Sequence, residues 1–170
     1  MKTISVSNRI LLLLTALLSA YQVAIGIDGL DTLAIICYTI AFGVLLVACL
    51  LILILGYEIL ESPLVLIVST IIPLSLSLGL VWEYLTDFRQ LYLIFTIIGM
   101  MAVILTRQFT SGRLAVIVLA IVHGISGMVI FLLPFVLSFQ GVTAPGFALV
   151  GLGGALIGTG GLLLSFLKTG

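Results

Sequence analysis

The residues able to do chemistry in this chain are few, and they gather in one stretch. Residues 114–137 carry Ala120-Ile-Val-His123-Gly124-Ile125-Ser126-Gly127 and hold the only histidine of the 170 residues. An imidazole can take a serine proton, hold the metal of a haem or chlorophyll-type pigment as an axial ligand, or exchange protons near neutral pH. His123 stands three residues before Ser126, which makes the two neighbours on one helix. A hydrolytic serine instead needs a base approaching its oxygen from elsewhere in the fold.

Gly124-Ile125-Ser126-Gly127 resembles the nucleophile motif of the rhomboid intramembrane proteases, which pair that serine with a histidine on another helix. The last apolar segment here has no histidine. No dyad is completed, and no catalytic residue is assigned. His123 remains the one candidate cofactor ligand, for a haem or chlorophyll-type pigment. A pair of axial histidines would need a second chain. The plainer expectation is a neutral imidazole bonded to a serine, a tyrosine or a carbonyl, with no cofactor. Ala120 and Gly127, at i−3 and i+4, put the ring on a small-residue face, expected to turn into the protein.

The composition sets the solvent. Hydrophobic residues make up 63% of the chain and charged residues 7%. A soluble domain is about 25% charged, so most of this surface must face lipid. Six basic and six acidic residues give zero net charge, and nothing favours nucleic acid as a partner. Cys37 and Cys49 fall in one predicted helix, about 18 Å apart by helical rise, too far for a bridge. There is no metal-ligand spacing, no phosphate loop and no dinucleotide fingerprint.

A membrane helix needs about 20 apolar residues. The sequence predicts an all-α membrane protein of six transmembrane helices, 10–27, 33–56, 64–85, 91–106, 114–137 and 146–167, in one polytopic domain. The first has the basic start of a signal peptide but is read as a membrane span. Short connections rich in turn formers make sequential helices antiparallel, giving three hairpins in one bundle. With a cytoplasmic N-terminus, Lys2, Arg9, Arg107, Arg113 and Lys168 lie inside and only Arg89 outside, so both termini are expected to be cytoplasmic in a cell membrane. Trp82, Tyr84 and Tyr92 flank an outer connection and read as an interfacial aromatic belt.

Two further patterns bear on packing. Gly151, Gly154, Gly158, Gly161 and Ser165 recur at alternating intervals of three and four, a small-residue seam along one helical face. With Gly124 and Gly127 they are the expected helix-packing residues, because glycine lets backbones approach closely in lipid. Pro73 interrupts the third helix with Ser69 and Ser77 four residues either side. That predicts a kink and a hydroxyl-lined face that could wall a cavity.

Matching glycines recur about one two-helix unit apart, as in Ser77-Leu-Gly79-Leu and Ser126-Gly127-Met-Val, which suggests a triplicated hairpin. Three such units, the third reading Val-Leu-Ala-Ile-Val-His123-Gly-Ile-Ser-Gly-Met-Val-Ile-Phe-Leu-Leu-Pro134, resemble the HdeD-like small membrane proteins. The resemblance implies a six-helix fold, helices closing in a glycine-to-proline turn and an association with acid-stress resistance. It carries over no catalytic residue.

Three functions fit this reading. The first is a non-enzymatic structural or accessory subunit, packed in membrane lipid against copies of itself or other membrane subunits. The second is a small-solute transporter or channel using Ser69, Pro73, Ser77 and His123 as cavity elements. The third is a pigment- or haem-binding subunit of an electron-transfer complex.

Overall fold

The computed structural model describes residues 4–110 and 113–169, apart from the side chains of residues 61, 63 and 160–169. The described chain is helical. Its six long helices are α1 (Val6–Ile25), α2 (Thr32–Leu55), α3 (Pro63–Tyr84), α4 (Arg89–Phe109), α5 (Arg113–Phe139) and α6 (Ala148–Thr169). Apolar runs of this length become helices because a backbone among apolar groups must satisfy its own hydrogen bonds. Five of them, α1 to α5, are long and apolar enough to cross a membrane.

The local start and stop signals set the boundaries. Ser5 caps α1 by accepting from the Asn8 N–H at 3.3 Å. Asp31 caps α2 through the Leu33 N–H at 2.9 Å. Pro63 opens α3 where its missing N–H costs nothing. Gly26 and Gly56 end α1 and α2 at φ of 75° and 82°, a region that disfavours residues with a Cβ. Two expectations need correction. The fourth helix is not short: it starts at Arg89 and runs to Phe109. The fifth does not close at Pro134, which is buried inside α5; the helix continues to Phe139, so no glycine-to-proline turn forms there.

Neighbouring helices pair as the three hairpins α1–α2, α3–α4 and α5–α6, and α2–α3, α3–α5 and α4–α5 join them. The centre of the fold is α3, which touches α2, α4 and α5. Among the described residues, the only long helix α1 touches is α2, and the only one α6 touches is α5. One core joins α2, α3 and α5 through Ala34, Tyr38, Leu80 and Ile130. The other joins α3, α4 and α5 through Leu74, Val103 and Val122. Both are apolar contacts between facing ridges, the packing that organises helices in lipid.

The connections after α1, α3 and α5 meet at one end of the protein. The Asp31 N–H donates to Glu83 Oε2 at 2.9 Å, and the Tyr84 ring lies 5.5 Å from the Phe147 ring, centroid to centroid. The C-terminal ends of α2 and α4 and the N-terminal ends of α3 and α5 fall at the opposite end. Cys37 and Cys49 are buried and unbridged.

Candidate functional site

His123 sits in the middle of α5, beside a buried stripe formed by Ala115, Val122, Ser126, Ile130, Pro134 and Leu137. The ring is half-buried and the small residues Ala120 and Gly124 beside it are exposed. This corrects the expected inward face: the imidazole lies at the edge of the packed stripe. Nδ1 is 3.1 Å from the Leu119 carbonyl, one turn earlier on its own helix. A carbonyl only accepts, so Nδ1 carries the proton and Nε2 keeps its lone pair in the neutral ring. His123 and Ser126 are not hydrogen-bonded to each other.

Ser126 points elsewhere. It is fully buried where α3, α4 and α5 meet, and its Oγ has no hydrogen-bond partner among the described residues. Serines and threonines in helices usually donate to a carbonyl one turn back. Thr15, Thr39, Thr70, Ser77, Thr96, Thr106 and Thr159 all do so here. Ser126 leaves the Val122 carbonyl alone and presents its hydroxyl to the neighbouring helices.

Tyr92 of α4 reaches the same place. Its hydroxyl stands beside those of Ser77 and Ser126, yet Tyr92 Oη is buried and not seated in hydrogen-bond geometry with either. This corrects the reading of Tyr92 as a belt residue. Nothing in the sequence sets Tyr92 apart from Trp82 and Tyr84, because all three flank the same connection.

The proposed hydroxyl-lined face of α3 resolves differently from expectation. Ser69 Oγ donates to the Leu66 carbonyl at 2.9 Å. Ser77 is fully buried and donates to the Pro73 carbonyl at 2.6 Å, with the Leu74 carbonyl at 3.1 Å. Neither hydroxyl reaches the Ser69 carbonyl, the group that the missing Pro73 N–H frees. The structure does show a groove of about 250 Å³, but it lies between Leu85 and the Met128–Val136 face of α5. All six lining residues are apolar, and Ser69, Pro73 and Ser77 are not among them.

The glycines divide by position. A Cβ on Gly151 would stand 2.6 Å from the Phe131 carbonyl oxygen, and one on Gly154 would stand 2.9 Å from Ile130 Cγ2. These two positions seat α6 against α5. A Cβ on Gly124, Gly127 or Gly158 would meet no described atom within 4 Å, so close approach does not explain those three. The surroundings of Gly161 and Ser165 lie outside what is described. Two glycines absent from the expected packing set matter more. Gly79 lies under the Tyr38 ring, and a Cβ on Gly99 would stand 3.3 Å from Val122 Cγ2.

A polar latch closes the end where three connections meet. Asp31 Oδ1 accepts from Trp82 Nε1–H at 3.1 Å as well as from the Leu33 N–H. Glu83 accepts from the Asp31 N–H. Arg89 Nε donates to the Trp82 carbonyl, and its guanidinium lies 5.4 Å from the Trp82 ring centroid. The latch ties the α1–α2 connection to both α3 and α4. Trp82→Phe keeps most of the apolar ring but removes the indole N–H. It is expected to cost about 1 kcal/mol, near the net worth of one hydrogen bond, read as a lower midpoint of thermal unfolding in detergent. An unchanged midpoint would show that the Asp31–Trp82 bond contributes nothing to stability.

Comparison with family models, with curated proteins and with solved structures finds no match for this chain.

Proposed function

We propose that this chain is a non-enzymatic integral membrane protein, a structural or accessory subunit that packs against copies of itself or other membrane proteins. It crosses the membrane six times, with α6 as the sixth span and both termini cytoplasmic. The single observation that carries this reading is the one-sided packing of α1. That helix buries Ala16 and Ser19 on α2 and leaves Leu11, Leu17, Leu18 and Tyr21 more than half exposed. An apolar surface of this kind needs lipid or another apolar chain to cover it. The short connections support the same reading, because they leave no room for a soluble catalytic or nucleotide-binding domain. The three hairpins are also consistent with the HdeD-like resemblance, although the continuous α5 departs from its proline turn.

Arg9, Arg107 and Arg113 lie at the end opposite the latch and Arg89 lies within it, which supports the cytoplasmic assignment of the termini by the positive-inside rule. Purification in mild detergent followed by native mass spectrometry tests the subunit role. The expected result is a mass above that of one chain, either a multiple of it or a complex with other membrane proteins. A lone monomer would overturn it.

One observation favours a second reading. The Nδ1 contact to Leu119 holds the His123 ring with Nε2 as its free lone pair, the arrangement in which an axial histidine is fixed by an outer hydrogen bond. Open space beside Gly124 and Gly127 leaves that face clear for a flat macrocycle. A pigment or haem bound there gives a visible absorption band that His123→Ala abolishes. A colourless preparation from native membranes would overturn this second reading and leave the first untouched.

A further inference from the structure

Three of the four arginines are accounted for by solvent or by a partner. Arg9 and Arg113 are exposed, and Arg89 Nε donates to the Trp82 carbonyl. Arg107, in the last turn of α4, is different. It is half-buried, and its Nε–H is shielded from solvent with no hydrogen-bond partner. A guanidinium is always charged and carries only donors. Leaving one of those donors buried without an acceptor is costly, so the missing acceptor is expected to come from outside the chain.

The fold explains why this group is turned inward. Gly99, Val103 and Arg107 recur every four residues and share one side of α4. That side is the packed one. A Cβ on Gly99 would stand 3.3 Å from Val122 Cγ2, and Val103 is fully buried with Leu74 and Val122. Arg107 prolongs the stripe by one turn and stands at the rim of the α3–α4–α5 junction, at the end opposite the latch. The local charge is one-sided. No aspartate or glutamate follows Asp87 in the sequence, so α4, α5 and α6 carry basic residues only. The acidic residues of this end, Glu58 and Glu61, stand in the α2–α3 connection.

We propose that Arg107 binds the phosphate of an anionic phospholipid at the cytoplasmic rim of this junction. Nε–H and an outer N–H of the guanidinium donate side by side to two phosphate oxygens, a fork that arginine offers and lysine does not. The net negative charge of the lipid matches a hairpin that carries Arg107 and Arg113 and no carboxylate. The cytoplasmic leaflet is where such lipids collect. Exposed Leu105 of α4 and exposed Leu114 and Ile117 of α5 offer apolar surface to the acyl chains. The proposal rests on the reading of this chain as a membrane protein with that end in the cytoplasm.

Native mass spectrometry of the detergent-purified chain, titrated with phosphatidylglycerol, phosphatidylcholine or inorganic phosphate, tests it. The wild type is expected to hold one phosphatidylglycerol more tightly than phosphatidylcholine, and to hold no inorganic phosphate. Arg107→Gln is expected to weaken phosphatidylglycerol binding about tenfold, the worth of a charge-assisted hydrogen bond, with helix content by circular dichroism unchanged. Arg107→Lys keeps the charge without the fork and should recover only part of the loss. Arg113→Gln, at an exposed position, should cost less than Arg107→Gln. If Arg107→Gln fails to fold, the wild-type lipid preference and Arg107→Lys decide. Equal retention of the two lipids by the wild type, inorganic phosphate held in place of lipid, or an Arg107→Gln variant that holds phosphatidylglycerol as well as the wild type would overturn the proposal. Carbonate washing of native membranes separates the two kinds of failure. A wild-type chain released by the wash overturns the membrane reading, whereas one that stays and shows no lipid preference overturns only this proposal.

Discussion

Gly151→Leu is expected to unseat α6, and it should be among the most damaging single changes in the protein. A Cβ at that position stands 2.6 Å from the Phe131 carbonyl oxygen and 2.7 and 2.8 Å from two carbons of the Phe135 ring. The carbonyl belongs to the α5 backbone and cannot yield unless the whole helix does. Phe135 stands edge-on to Phe131 at 5.6 Å and stacks with Phe139 at 6.5 Å, so moving its ring breaks both aromatic contacts. Overpacking a tight contact costs about 1–3 kcal/mol, and a leucine should reach the upper end. Among the described residues α6 packs on no other long helix, so nothing opposes its release. A cysteine pair placed across α5 and α6 would cross-link in the parent and fail to do so in Gly151→Leu. Gly158→Leu is the control, because a Cβ there meets nothing described within 4 Å, and its cross-linking should persist. Equal cross-linking in both variants would show that Gly151 does not set the α5–α6 distance.

Gly79→Val is expected to break the seat between α2 and α3. Here the obstacle is a ring and not a carbonyl: a Cβ on Gly79 would stand 2.7 Å from Tyr38 Cε1 and 3.0 Å from Cζ. Tyr38 is 8% exposed and shares its cluster with Ala34, Leu80 and Ile130, so the ring cannot swing away without disturbing both α3 and α5. The expected cost is about 2–3 kcal/mol, again from overpacking. A second substitution separates this cause from a general intolerance of β-branching. Tyr38→Leu shortens the side chain and should restore part of the stability lost in Gly79→Val, giving a coupling of about 1 kcal/mol or more in a double-mutant cycle. Strictly additive effects in thermal or denaturant unfolding would mean that the ring and the glycine do not meet.

The helices were legible because runs this long and apolar have few other ways to satisfy their backbone hydrogen bonds. A run such as Leu33 to Gly56 is too apolar for a loop and too long for a strand, and the helix there starts and ends within a residue of that reading. Boundaries slipped where a capping signal competed with hydropathy. Arg89 and Gln90 look like loop residues in a hydropathy profile, but they form the first turn of α4. Pro134 looks like a stop, yet tertiary packing holds it inside α5. The site was far less legible, for a physical reason. Helical periodicity says which residues share a face, but not which face meets a neighbour. Ala120, His123 and Gly127 do share one side of α5, and that side is not the packed one. The packed side runs through Val122, Ser126 and Ile130, one residue out of step. Likewise, a glycine in a repeating pattern and an isolated one look alike in sequence. Only the neighbour at hand distinguishes Gly79, pressed under a tyrosine, from Gly127, which no described atom approaches.

The pairing order of the helices has a consequence for how the protein is made. Among the described residues, every contact between long helices joins elements that are adjacent in the chain or separated by one helix: α1–α2, α2–α3, α3–α4, α3–α5, α4–α5 and α5–α6. Each long helix after α1 therefore finds a partner already synthesised, and none waits for a distant segment. Chains dominated by such local contacts assemble quickly, because little loop-closure entropy stands ahead of each gain. The Asp31–Glu83 and Asp31–Trp82 bonds form as soon as the third helix is complete, before α4 to α6 exist. The molecule can thus be built by sequential addition from the N-terminal hairpin, with α3 as the point at which the growing assembly changes from a row of helices into a packed core.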